Sequence, residues 1–305
     1  MIVLLTGATG FIGRILSARL AANGHTLRFL TRDPVAASGR LPPGSKAFAW
    51  PSGGMVPDQA MDGAEAVVHL AGENIGQWPW TRDRKNLILE SRTQGTRRLV
   101  EAMGRAAAKP AVLVAAAAVG YYGEGGDRDL DEGSEPGTGF LAEVCVAWER
   151  EIFRASEMGI RTVAIRNGLV LGQGGALKKL LPVYRFGAGA VLGSGRQWCS
   201  WIHVEDTAGI FAHALSAEGL SGAVNGTAPA PVTQREFAEA LAKAVHRPLL
   251  FKAPAFALRL PLGEMASTLL EGQKTDGTKL AASGYRFRYP RLEAALAEIT
   301  QGGPK

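Results

Sequence analysis

The chain has 305 residues, a formal charge of +6, 46% hydrophobic and 20% charged residues, a mix that belongs to folded protein and excludes long disorder. Glycine is abundant at 39 residues, but no G-X-Y period exists, so collagen is excluded and tight turns are implied. The basic residues are scattered and their densest run, Arg82-Asp83-Arg84-Lys85, carries its own acid, which argues for a solvated surface rather than a nucleic-acid partner.

Met1–Leu5 is a short, wholly apolar run and predicts a buried parallel strand. A glycine-rich turn follows at Gly7–Gly13, then helical spacing over Phe11–Ala22 with Gly24 as its stop. Leu27–Leu30 and Ala66–Leu70 read as strands, Ser91–Arg105 as a helix and Ala111–Val119 as a strand of small residues. Phe140–Met158 has helical spacing, and Thr162–Ile165 reads as the next strand. Beyond Arg166 the loops become glycine-rich, and helices are expected at Val204–Leu215, Thr233–Val245 and Leu292–Ile299. Thr233-x-x-Glu236 is a capping box for the second of these. Between them, Phe256–Leu270 mixes helical signals with Pro261 and Gly263.

This βαβα order implies an α/β fold, a Rossmann-like doubly wound parallel sheet, over residues 1–165. A smaller C-terminal α+β domain is expected over 166–305, with a soft boundary and interleaved segments. Cys145 and Cys199 form no CxxC and no cluster with histidine, so neither a disulfide scaffold nor a metal site is expected. Gly7 interrupts the N-terminal apolar run, and Ala111–Val119 is too short to span a bilayer, so a cytoplasmic protein with no membrane partner is expected.

The turn Gly7-Ala8-Thr9-Gly10-Phe11-Ile12-Gly13 lies directly after a buried strand and opens a helix. Gly7 suits the tight turn, Gly10 a close approach to pyrophosphate, and Gly13 close helix–strand packing. The whole turn is therefore a candidate dinucleotide site, with the anion on free N–H groups and the positive helix end. The spacing is GxxGxxG rather than GxGxxG. At the end of the second strand an acid would bind ribose hydroxyls and a basic residue a 2′-phosphate. Arg32 stands there, with Asp33 beside it, so NADP(H) is expected in preference to NAD(H).

GATGFIG, His69-Leu70-Ala71-Gly72, Tyr122-Gly123 and His203-Val204-Glu205-Asp206 resemble the extended short-chain dehydrogenase/reductase superfamily. HLAGENI (69–75), SRTQGTRRLVEAM (91–103), AVGYYGEGG (118–126), FLAEVCVAWE (140–149), GSGRQWCSWIHVED (193–206) and ALRLPLGEMA (257–266) look like its epimerase-like subfamily. That group is described as sugar-nucleotide epimerase-related or, in some lineages, as a cell-division inhibitor. The resemblance implies NAD(P) at the carboxyl ends of the strands and a substrate cleft under the C-terminal domain. It also implies cofactor contacts at Leu70, Ala71, Gly72 and Glu73, and a substrate contact at Asn74. Arg92 stands where many relatives have an asparagine near the pyrophosphate, and is a candidate for a charge-assisted cofactor contact or else a solvent-facing charge. Arg196 is then a candidate for substrate phosphate, and Trp198 or Trp201 for stacking on a ring, with the alternative that Trp201 and His203 anchor the domain junction; His203 and Asp206 are expected to be structural.

The superfamily places a serine after this strand and a YxxxK pair on the next helix, where the lysine lowers the pKa of the tyrosine. Here the strand is Val114-Ala115-Ala116-Ala117-Ala118-Val119, and Leu141 and Cys145 occupy the tyrosine and lysine positions. Tyr121 and Tyr122, at the carboxyl end of the strand, are the candidate substitute proton donors, with the alternative that Tyr122 packs as the structural Tyr-Gly tyrosine that the resemblance implies. No G-x-S-x-G elbow supports a hydrolase. Two readings follow: an epimerase-like oxidoreductase acting by hydride transfer on a small polar or nucleotide-linked substrate, or a catalytically degenerate NADPH-binding regulator that acts through a protein partner. The superfamily commonly forms dimers through a four-helix interface, to which residues 140–158 would contribute, so a homodimer is a further expectation.

Overall fold

In the computed structural model, which describes residues 1–301, seven parallel strands form one sheet. In chain order the strands and main helices are β1 (Ile2–Thr6), α1 (Phe11–Ala22), β2 (Thr26–Thr31), β3 (Lys46–Ala49), β4 (Ala66–His69), α2 (Arg82–Arg105), β5 (Val112–Ala118), α3 (Phe140–Phe153), β6 (Arg161–Asn167), α4 (Gly175–Arg185), α5 (Val204–Ser216), β7 (Gly222–Gly226), α6 (Gln234–Ala244) and α7 (Leu292–Gln301). The sheet order is β7-β6-β5-β4-β1-β2-β3. The order reverses between β1 and β4, which opens a crevice at their carboxyl ends. Right-handed crossovers then send α1 and α2 to opposite faces. There α1 packs on α5, and α2 packs on α3.

Burial explains why these runs form strands. Val3, Leu4, Leu5, Val67, Val68, Leu113 and Val114 are inaccessible to solvent, as a sheet covered on both faces requires. Arg161 opens β6 and donates to the carbonyls of Ala214 and Leu215 at 2.9 and 2.8 Å, satisfying acceptors left free at the end of α5. The chain beyond residue 166 divides between two cores. Ile202, Ile210, Phe211 and Val224 join the sheet core. Leu171, Leu177, Tyr184, Trp201, Phe237, Leu241 and Leu296 build a second one around α4, α6 and α7.

Several element bounds differ from the sequence reading. Helix α2 begins at Arg82 rather than at Ser91, and Thr81 accepts from the Arg84 N–H at 3.2 Å as its N-cap. Helix α3 stops at Phe153 and is followed by a single 3-10 turn at Ser156–Met158. The 256–270 stretch is three short pieces, Ala255–Leu262, Gly263–Ala266 and Ser267–Leu270, with Gly263 at φ +56° between the first two. Edge strand β3 and the helix Pro34–Ser38 have no counterpart in the sequence reading.

Candidate functional site

The glycine turn sits at the carboxyl end of β1, beside the switch in strand order. Gly7 has φ +71°, and a Cβ there would lie 2.8 Å from the Leu70 carbonyl carbon. A Cβ on Gly13 would strike the Gly7 carbonyl oxygen and lie 2.7 Å from the Ala8 Cα. Any side chain would push α1 off β1. Gly10 caps α1 without a side-chain hydrogen bond, which leaves the first-turn N–H groups free for an anion. Thr9 and Gly10 are exposed, and Phe11 and Ile12 are half-buried. This cradle, closed to every residue but glycine, fits the pyrophosphate of a dinucleotide. Phe11 turns away from it. Its ring lies where a Cβ on Gly172, Gly174 or Gly175 would fall, at 2.6, 2.5 and 3.3 Å.

A buried hydrogen-bond strut supports the facing loop. The Thr6 hydroxyl accepts from the Leu70 and Ala71 N–H groups at 3.2 and 3.1 Å. Its own proton therefore goes to His69 Nδ1, 2.7 Å away. His69 Nε2 must then carry a hydrogen, which it donates to Thr96 at 3.0 Å, and Trp148 Nε1 donates to the same oxygen at 3.0 Å. Complete burial, reinforced by the charge of Arg92, pushes His69 down to about 4, so the ring is neutral. Sequence reasoning assigned His69 no role. A polar residue ending an apolar strand, AVVH, was the available signal.

At the end of β2 the two charged neighbours separate in role. Asp33 accepts the Ala36 N–H at 2.9 Å and caps the short helix Pro34–Ser38. Arg32 is exposed, and among the described residues its side chain has no partner.

Leu70 and Ala71 are half-buried, and Gly72 is exposed above the Arg92 guanidinium, which lies 3.4 Å from where a Cβ on Gly72 would stand. Arg92 donates to the Glu73 carbonyl at 3.0 Å and packs over the Trp148 ring. It is thus a support beneath the loop. The Glu73 carboxylate pairs with Arg84 at 3.0 Å. The Asn74 side chain accepts the Gly76 N–H at 2.8 Å and closes its own turn.

The two candidate phenols part company. Tyr122 is 1% exposed, donates to Asn225 Oδ1 at 2.7 Å and accepts from Arg166 at 2.9 Å. Burial, only partly opposed by Arg166, pushes its phenol up to about 12. Tyr122 is therefore corrected from proton donor to structural anchor. Arg166 also clasps Glu149 through two 2.8 Å hydrogen bonds, which tie β6 to α3. The Tyr121 ring also lies over that guanidinium, its centroid 3.6 Å from the carbon, and its hydroxyl has no hydrogen bond among the described residues. Cys145 is buried, and burial, with Glu149 adding to it, pushes its thiol up to about 12, so it carries no thiolate at neutral pH.

In the late cluster, Trp201 is inaccessible and donates to the Ala230 carbonyl at 3.0 Å, so it is corrected from ring-stacking residue to core residue. Strand 201–203 pairs with Leu169–Leu171, which carries that side chain into the second core. Arg196 is exposed, and the half-buried Trp198 donates to Asp127 at 2.8 Å. Asp206 accepts from the Tyr285 hydroxyl and from the N–H groups of Arg288 and Tyr289 at 2.9, 2.7 and 2.8 Å, and so holds the C-terminal segment to α5. His203 caps α5 and meets Glu298 of α7 at 3.0 Å.

Residues 3–225 match the NAD dependent epimerase/dehydratase family, and residues 253–299 match a domain of unknown function, DUF1731. The Arabidopsis thaliana epimerase family protein SDR39U1 homolog, chloroplastic, is 40% identical over 99% of this chain and 87% of its own length. The Bacillus subtilis epimerase family protein YfhF is 37% identical over 98% of both. The crystal structure of human epimerase family protein SDR39U1 with NADPH is 34% identical over 99% of both chains, with a TM-score of 0.87.

Proposed function

The chain belongs to the NAD dependent epimerase/dehydratase family, and from that premise we propose that it is an NADP(H)-dependent oxidoreductase acting by hydride transfer on a small molecule. The preference for NADP(H) rests above all on the withdrawal of Asp33 into a helix cap, which leaves Arg32 as the available charge at the end of β2. A similar human protein carries NADPH in its crystal structure. The loop Gly7–Gly13 would hold the pyrophosphate, the Leu70–Gly72 backbone the nicotinamide half, and Arg32 the 2′-phosphate. When bound, the dinucleotide supplies the hydride chemistry. The chain's own part is to orient, exclude water and move a proton. For the proton, Tyr121 is the candidate, since its hydroxyl is uncommitted and its ring is fixed on Arg166. The commitment of Tyr122 and the neutral Cys145 favour a second reading, a dinucleotide-binding regulator without turnover.

The test is titration with NADPH and NADH, followed by nicotinamide fluorescence. Arg32→Ala should weaken NADPH about 10–100-fold, the worth of one charge-assisted contact, and leave NADH unchanged. Equal weakening of both would overturn the assignment of Arg32. Loss of NADPH turnover in Tyr121→Phe, with binding intact, would separate the enzyme from the regulator.

A further inference from the structure

The first turn of α3 faces the carboxyl end of β5, where a substrate beside the nicotinamide would lie, and the side chains nearest that end, Leu141 and Cys145, are apolar. A Cβ at Gly120 would stand 3.7 Å from Leu141 Cβ and 3.6 Å from Cys145 Sγ. The strand carries no polar side chain at this end: it closes Ala116-Ala117-Ala118, with successive methyls on opposite faces of the sheet. Outside this wall, the Trp80 ring meets Phe140 edge-on at 5.3 Å and is fixed by a 2.9 Å bond from Nε1 to the Ile75 carbonyl. Two cations of this rim are spent, Arg84 on Glu73 at 3.0 Å, and Lys85 on Glu264 at 2.8 Å and over one face of the Phe140 ring at 4.5 Å. A diphosphate brought here would find no unpaired cation among these two. An aromatic ring would find an aromatic pair and an aliphatic wall.

Reaction chemistry points the same way. Reducing a simple ketone leaves a strongly basic alkoxide, which needs a well-placed acid. Reducing a conjugated ketone at its β-carbon leaves an enolate whose charge is shared by the oxygen and the α-carbon, and whose oxygen is a much weaker base than an alkoxide. We propose that the Trp80–Phe140 rim and the Leu141–Cys145 wall bind an aryl-conjugated α,β-unsaturated ketone, in place of the small polar or nucleotide-linked substrate that the sequence suggests. For turnover this rests on the preceding reading, which supplies the reduced dinucleotide. The β-carbon gains a hydride, the C=C pair becomes the bond between the α-carbon and the carbonyl carbon, the carbonyl π pair moves onto oxygen, and one proton from Tyr121 or water goes to that oxygen; the enol then tautomerises in water. The enone is reduced to the saturated ketone, and the dinucleotide is left oxidised.

Benzylideneacetone is the probe, and its binding is read without dinucleotide by quenching of tryptophan emission. Saturable quenching is expected, with no competition from UDP-glucose. Trp80→Leu should weaken binding about tenfold, the worth of an aromatic contact. Leu141→Asn should do the same without removing a fluorophore, and a retained cooperative urea-unfolding transition certifies that each variant is folded. With NADPH present, benzylacetone should accumulate. Absence of saturable quenching, competition by UDP-glucose, or unchanged affinity in both variants overturns the proposal. Failure to bind NADPH would sink the preceding reading alone, because the quenching experiment does not depend on it.

Discussion

Acidification should strain this protein at one identifiable histidine. His69 is held at about 4 in the folded protein, against about 6.5 for a free imidazole. Between those values the unfolded chain binds a proton that the folded chain refuses, so stability rises with pH and falls on acidification. The stabilising share is fully present above the unfolded value. It amounts to a loss of about 2 kcal/mol between pH 7 and pH 5 and about 3 kcal/mol by pH 4, where it levels off. His69→Gln offers an acceptor to Thr6 and a donor to Thr96 without a titrating group. Urea unfolding at a series of pH values measures both proteins. Carboxylates titrate in both and cancel in the difference. The wild type should lose about 2 kcal/mol more than the variant on going from pH 7 to pH 5. Parallel loss in the two would refute the neutral strut, and with it the account of how the Leu70–Ala71 backbone is held.

Two further outcomes follow from the packing. Gly13→Ala forces a methyl into the Gly7 carbonyl, so it should cost about 3 kcal/mol by urea unfolding and abolish NADPH binding. Glu149→Gln leaves Arg166 charged, 3% exposed and short of its counter-ion. A loss of about 3–5 kcal/mol in the same assay is expected, larger than for any exposed pair such as Arg235–Glu239.

The sheet centre was readable because strands buried on both faces need unbroken apolar runs, as in IVLL and AVVH. Phe11–Ala22 was readable because a glycine turn opens it and a glycine closes it. The start of α2 was not, because its first turns are polar and exposed and its periodicity begins only where Ile88 turns inward. Edge strand β3 is half-exposed on both faces and leaves no alternation to read. The role of Asp33 was available in the Asp-Pro pair, a cap followed by a helix-opening proline. The Tyr-Gly pair pointed to a packed Tyr122, but its partner was not legible, since Asn225 is 103 residues further on. Trp201 misled for the same reason: a tryptophan beside polar residues looks like a binding group until strand pairing turns it inward.

Phe11 has a consequence for how the two halves can vary. By sequence it belongs to the dinucleotide turn. By packing it fills a socket of three glycines, at 172, 174 and 175, on the approach to the second core. The C-terminal half therefore takes its seat from a residue of the N-terminal turn. A chimera that exchanged everything after residue 166 would carry the socket without a matching plug. Transplanting the C-terminal half onto another glycine turn should succeed only where that turn brings its own ring to the same place.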